Sequence, residues 1–125
     1  ALLLGLWRRE MNAAFAYEKH PRFAVLHTHE ADHAAALATQ LSAVGHATPP
    51  PPEDDADLDV AAAKVAAAKP AGVLAAAVAL EQDLEAVYRD ALPALPDAKI
   101  AMTAATILAS HAQHLFILRA AAGVT

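Results

Sequence analysis

Prolines divide this chain into segments, and within each long segment the apolar residues recur at the three- and four-residue steps of a helix. Proline is not tolerated inside a helix, so Pro21, Pro70, Pro93 and the run at residues 49–52 mark the breaks. Alanine, the best helix former, supplies much of the 57% hydrophobic content, whereas aromatic residues make up only 5%. Four long helices are therefore predicted, at residues 2–18, 21–44, 71–92 and 97–122.

The connections between these helices differ in length. The first and second helices are joined by a tight turn, as are the third and fourth, and short loops join antiparallel neighbours. The connection across residues 45–70 is long and includes a shorter helix, predicted from Asp55 or Asp57 to Lys69. We predict an all-α protein in which two antiparallel helical hairpins form a four-helix bundle, with residues 1–125 as a single domain.

The composition argues against several classes of partner. A net charge of −5 does not provide the basic surface that nucleic-acid binding requires. No stretch reaches the roughly 20 apolar residues of a membrane span without a charge, and no phosphate-binding glycine loop appears. The absence of cysteine excludes disulfides and thiolate ligands. No acid–base or nucleophilic group of residues stands out, so the sequence leaves open whether the protein is an enzyme.

The chain begins without methionine, which suggests that a leader or flanking segment precedes Ala1. Signal-peptide criteria therefore cannot be applied to the apolar residues 1–6, which Arg8 and Arg9 follow closely. A cytoplasmic location is slightly favoured, and an exported form would need such a leader.

Ionisable residues lie in the middle of the apolar stripe of every long helix. Burying a charge costs free energy unless the charge is paired or binds a metal ion. We expect these side chains to gather inside the bundle as metal ligands, although pairing between glutamates and histidines would also satisfy them. The candidate ligands are Glu10, Glu30, His33, Glu81, His111 and His114.

Their spacing favours the metal site. Glu30 and His33 form Glu-x-x-His, and side chains at i and i+3 project from one helix face and can reach one ion. Di-iron and di-manganese carboxylate bundles combine one lone glutamate from each of two helices with Glu-x-x-His from each of the other two. Glu10 and Glu81 would be the lone glutamates, whereas the fourth helix offers His-x-x-His.

At these residues the chain resembles the ferritin-like superfamily, and in particular sites of the bacterioferritin and rubrerythrin type. Tyr17 follows Glu10 by seven residues, and Tyr88 follows Glu81 by seven. This repeated spacing resembles the one in the first and third helices of the superfamily. The linker at residues 45–52 also resembles that of a small bacterial ferritin-like family of unknown function.

The resemblance implies a di-iron or di-manganese centre that reacts with oxygen or peroxide. Tyr17 and Tyr88 would lie just outside the ligands, and His27, one turn before Glu30, is a spare ligand or another outer contact. His111 stands where the family has a bridging glutamate, and imidazole binds through one nitrogen. Imidazole also suits zinc, so a mononuclear or asymmetric site holding iron, manganese or zinc is an equal expectation.

Two other functions stay open. A metal-free ferritin-like helical domain would act as a structural or interaction module, forming a homodimer through an alanine-rich face. Haem held by the histidines is a weaker alternative. Outside the bundle, the acidic run at residues 54–59 lacks the glycine and spacing of a calcium loop, so it is predicted to be a solvated linker. His20, His29 and His46 are likewise predicted to face solvent.

Overall fold

A computed structural model describes residues 2–123 of the chain, and within that range it contains α-helices and short 3-10 turns but no strand. The prediction of an all-α protein is confirmed. The chain divides into two compact units, residues 1–66 and residues 67–125. Whether both units form a single domain stays a prediction. The α-helices are α1 (Leu2–Glu18), α2 (Ala24–Ala43), α3 (Val60–Ala67), α4 (Val73–Ala91) and α5 (Ala98–Ala121).

The first unit is built on a hairpin of α1 and α2, which pack against each other. Residues 21–23 form a 3-10 turn between them, with proline at its start, and Phe23 turns inward to meet Tyr17 edge-on at 5.3 Å. The prediction that His20 faces solvent is wrong. Its Nε2 lies 2.6 Å from the carbonyl oxygen of Val65, so the imidazole donates to α3 and ties the hairpin turn to it.

The connection after α2 is held against α1. Gly45, at a positive φ of 78°, follows the last turn of α2, as its place in the sequence predicts. Asp59 then accepts a hydrogen bond of 2.9 Å from Asn12, and Arg9 lies 3.8 Å from the same carboxylate. Asp55 approaches Lys19 at 3.9 Å. Acidic residues predicted to be a solvated linker therefore anchor the connection to α1, a contact between positions too distant for sequence spacing to reveal.

The proline run lies beside the same part of α1. Together with Trp7 and Met11 it lines an open cleft of about 390 Å³. The short helix is also shorter than predicted: residues 55–57 form a separate 3-10 turn, extended Leu58 interrupts the helix, and α3 begins only at Val60.

The second unit is a hairpin of α4 and α5, which pack against each other. Asp97 caps α5, its Oδ1 accepting hydrogen bonds from the amides of Lys99 and Ile100 at 2.8 and 3.1 Å. Along most of α4 the buried face is the predicted one. At its start, however, Val73 and Ala77 are buried, whereas Leu74 and Val78, which the helical period places on the face of Glu81, are only half-buried, because this region is apolar on every side.

Small side chains make up much of the interior. Ala13, Ala16, Ala34 and Ala104 are buried, so the helices can approach closely within each hairpin. Among residues 2–123, α5 is long and apolar enough to cross a membrane by length and composition alone. The core helix of a soluble protein meets the same criterion, so this is weak evidence and the absence of a membrane span stays a prediction.

Candidate metal centre

The first unit brings together two carboxylates and one imidazole, here called the carboxylate cluster: Glu10 from α1 and Glu30 and His33 from α2. Both glutamates are completely buried, and the side chain of His33 is 16% exposed. His33 Nδ1 lies 3.7 Å from Glu10 Oε1 and 3.8 Å from Glu30 Oε2. One ligand atom from each residue lies within 4.8 Å of those of the other two, close enough for a single cation.

The helical hairpin explains why these three side chains meet. Glu30 and His33 are one turn apart on α2, and the antiparallel return of the chain brings Glu10 to their level. One turn away, Nδ1 of His27 donates to the carbonyl oxygen of Ala14 over 2.8 Å. This bond fixes α2 against α1 beside the cluster and uses one of the two ring nitrogens. A role for His27 near a bound ion stays a prediction.

Charge is unevenly balanced in the carboxylate cluster. Burial of His33 lowers the pKa of its imidazole, but the attraction of the nearby Glu10 and Glu30 carboxylates outweighs burial and raises that pKa to about 9. His33 is therefore a cation at neutral pH, between two carboxylates. A divalent ion that bound here would displace the proton from His33 and take over its role as counter-charge.

The second unit brings together one carboxylate and two imidazoles, here called the imidazole cluster: Glu81 from α4 and His111 and His114 from α5. The Nδ1–H groups of His111 and His114 donate to the same oxygen, Oε1 of Glu81, over 3.0 and 2.9 Å. All three side chains are buried, the most exposed being His114 at 3%. Burial raises the pKa of Glu81, but the two imidazole hydrogen bonds outweigh it and lower that pKa, so Glu81 is ionised.

Further contacts orient these imidazoles. The Tyr88 ring lies 5.5 Å from the His111 ring, and the two histidine rings are nearly perpendicular at 5.8 Å. Ser110 Oγ lies 3.5 Å from Nε2 of His114. Sequence spacing singled out Tyr88 but missed Ser110, although its position four residues before His114 places it one helical turn away.

Each hairpin thus contributes three of the six predicted ligands. Each group has the composition of a metal site: imidazole suits zinc, copper, iron and nickel, and carboxylates suit manganese. Tyr17, on α1, is completely buried and packs edge-on against Phe23. Its role beside a bound ion stays a prediction.

Comparison with known proteins identifies the chain at the level of the family. The model of one protein family, described as a ferritin-like domain, matches residues 8–124. No curated protein and no solved structure matches the chain.

Proposed function

We propose that this chain, which belongs to the ferritin-like domain family, is a metal-binding protein whose buried glutamates and histidines hold iron or manganese. The ligands would be Glu10, Glu30 and His33 in the carboxylate cluster, and Glu81, His111 and His114 in the imidazole cluster. Iron or manganese bound there would supply redox chemistry toward oxygen or peroxide.

The observation that carries this proposal is the burial of carboxylates at the middle of the helices. Glu10, Glu30 and Glu81 are all at 0% exposure. A buried ion pair seldom stabilises a fold more than apolar side chains of the same size would. Three buried carboxylates, each beside imidazoles with metal-ligand spacing, are therefore better explained by a cation than by stability alone.

The surrounding residues define what the protein itself contributes. Burial keeps water from the ligands, so a bound ion would exchange ligands with substrate rather than with bulk solvent. His33, His111 and His114 carry protons on the nitrogens that face the carboxylates, and each would release that proton to bind an ion. The Tyr88 ring packs beside the His111 imidazole, and in this proposal it would limit the movement of that ligand.

Metal content tests the proposal directly. The purified chain is stripped with a chelator, incubated anaerobically with ferrous, manganous or zinc ions, desalted and analysed for metal. We expect two ions per chain, with loss of metal in the double variants Glu30→Gln/His33→Gln and Glu81→Gln/His114→Gln. His46→Gln, a change at an exposed histidine outside both clusters, is the matched control and retains both ions. Unchanged metal content in both double variants would refute the proposal.

One observation favours a metal-free alternative. His111 occupies the place of the family's glutamate, and in the imidazole cluster Glu81 receives hydrogen bonds from both imidazoles. A helical domain that kept the fold and lost metal binding would have buried polar side chains that hydrogen-bond to one another in this way. Failure to bind any of the three ions, in a chain that remains folded, would establish this alternative.

A further inference from the structure

We infer that this protein forms a two-fold symmetric homodimer in which the solvent-facing side of α5 packs antiparallel against the same side of α5 in a second copy. The inference goes beyond the proposed function, because the residues that carry it are not among the proposed metal ligands. This side of α5, here called the α5 face, is defined by exposed residues at helical spacing: Met102, Ala105, Ala109, Ala112, Phe116 and Ile117.

Large apolar side chains on the α5 face are open to solvent. Met102 is 70% exposed, Phe116 76% and Ile117 61%. Residues 100–118 include no Asp, Glu, Lys or Arg, so no such charge interrupts the face. Thr106 lies beside it, and its hydroxyl donates to the carbonyl oxygen of Met102 over 3.0 Å, so it can leave water and keep this bond. A continuous apolar surface of this kind is typical of a contact with a protein or a membrane.

The α5 face is complementary to itself. Met102 and Phe116 lie seven residues before and after Ala109, and the helical period places both within about 20° of it around the helix axis. A two-fold axis at Ala109 therefore sets Met102 of one copy against Phe116 of the partner subunit, and the reverse. The small side chain of Ala109 lets the two helices approach closely between these two pairs. This symmetry favours a second copy over an unrelated protein.

The length of the face sets the strength of the contact. From Met102 to Ile117 it runs for about 22 Å at about 1.5 Å per residue. Two helices packed over this length bury on the order of 1,000 Å² in total, which is at the lower limit for a specific interface. We therefore expect a reversible dimer whose population depends on protein concentration.

The charges near the face favour a second copy over a membrane. Lys99 and Arg119 lie toward opposite ends of α5, about 80° around the axis from Ala109, so their long side chains can turn to solvent. In the dimer Lys99 approaches Arg119 of the partner subunit, and salt would screen this repulsion. Anionic lipid would attract these two cations, but the net charge of the chain is −5 and opposes that attraction.

Sedimentation velocity of the whole chain at about 5 to 200 μM tests the interface. We expect a monomer–dimer equilibrium that shifts toward the dimer as the NaCl concentration rises. Ala109→Glu places two carboxylates at the two-fold axis and should weaken the dimer at least roughly tenfold. Ala86→Glu adds the same charge at an exposed position on α4, outside the α5 face, and is the matched control that should retain the dimer.

Cysteine variants test the antiparallel register, because the chain itself contains no cysteine. When Met102→Cys and Phe116→Cys are mixed with oxidised glutathione, disulfides should form mainly between the two variants. Each variant alone should cross-link poorly. A preference for disulfides within each variant would indicate parallel packing and overturn the inference. This measurement does not depend on how Ala109→Glu folds.

Three further results would overturn the inference. The first is a chain that stays monomeric at about 200 μM in high salt. The second is Ala109→Glu that dimerises like the native chain. The third is a monomer that binds phosphatidylserine vesicles less tightly as salt rises, which would assign the α5 face to a membrane. Circular dichroism shows whether each variant is folded. Failure of metal binding would overturn the proposed function and leave this inference standing, because none of the proposed ligands lies on the α5 face.

Discussion

Oε1 of Glu81 lies 2.9 Å from Nδ1 of His114, and both side chains are buried. The same oxygen accepts a second hydrogen bond from His111. One carboxylate oxygen thus accepts hydrogen bonds from two histidines of the neighbouring helix. We expect the stability of the second hairpin in the metal-free protein to depend on the negative charge of Glu81.

Replacing that charge should destabilise the metal-free protein. Glu81→Gln preserves size but leaves a neutral acceptor, so we expect the free energy of unfolding to fall by about 1.5–3 kcal/mol, the range for hydrogen bonds to a charged group. Urea unfolding in the presence of chelator measures it. Glu85→Gln, one turn along α4, removes only a partly exposed contact to Arg89 and should cost less than about 1 kcal/mol. Equal losses of stability in Glu81→Gln and Glu85→Gln would show that the buried charge of Glu81 is not the cause.

His33 should make the metal-free protein less stable at alkaline pH. Its pKa is about 9 in the folded state and 6.5 in its ordinary state. Its protonation therefore contributes stability that is fully present below pH 6.5, declines above it and is lost as the pH passes about 9. We expect the melting temperature of the native chain, relative to that of His33→Gln, to fall between pH 6.5 and 9. The control His46→Gln should follow the native chain, and parallel curves for His33→Gln and the native chain would exclude the effect.

Metal binding at the carboxylate cluster should release a proton. Because His33 is protonated at pH 7.5, the ion and the proton compete for one nitrogen. Calorimetric titration with Mn²⁺ in two buffers of different ionisation enthalpy should show release of about one proton per ion, and affinity should rise with pH up to about 9. Release near zero, or the same release from His33→Gln, would mean that His33 is not displaced.

Asp59 should stabilise the fold without affecting metal. Its carboxylate accepts from the amide of Ala62 at the start of α3 and from Asn12 on α1. Asp59→Ala removes a helix cap, so a loss of about 0.5–2 kcal/mol is expected in urea unfolding. Asp32→Asn, at an exposed position on α2, is the control and should leave stability unchanged. Loss of bound metal in folded Asp59→Ala would show that the connection supports a cluster.

Most helix bounds and the identity of the buried polar residues could be predicted from the sequence. Proline and glycine fix where helices stop, and a glutamate inside an apolar stripe stands out, so the burial of Glu10, Glu30 and Glu81 was predictable. The buried face at the start of α4 could not be predicted. Apolar residues there lie on both the buried and the half-buried face, so the helical period alone does not indicate which face turns inward.

Contacts between residues far apart in the sequence could not be predicted, for a different reason. The pairing of Asp59 with Asn12, and of His20 with Val65, depends on where a long connection returns to the hairpin. No local period encodes that path. The same limit applies to the division of the ligands, since spacing within one helix joins Glu30 to His33 but does not say which glutamate from another helix completes the group.

The confinement of each cluster to one hairpin has a consequence for biosynthesis. Glu10, Glu30 and His33 have all been added before translation reaches the proline run, and contacts this local in sequence form early. His114, which completes the imidazole cluster, is added only after the proline run and α4 have been translated. The order of the two clusters along the polypeptide is therefore also the order in which the nascent chain offers these glutamates and histidines to the ions around it.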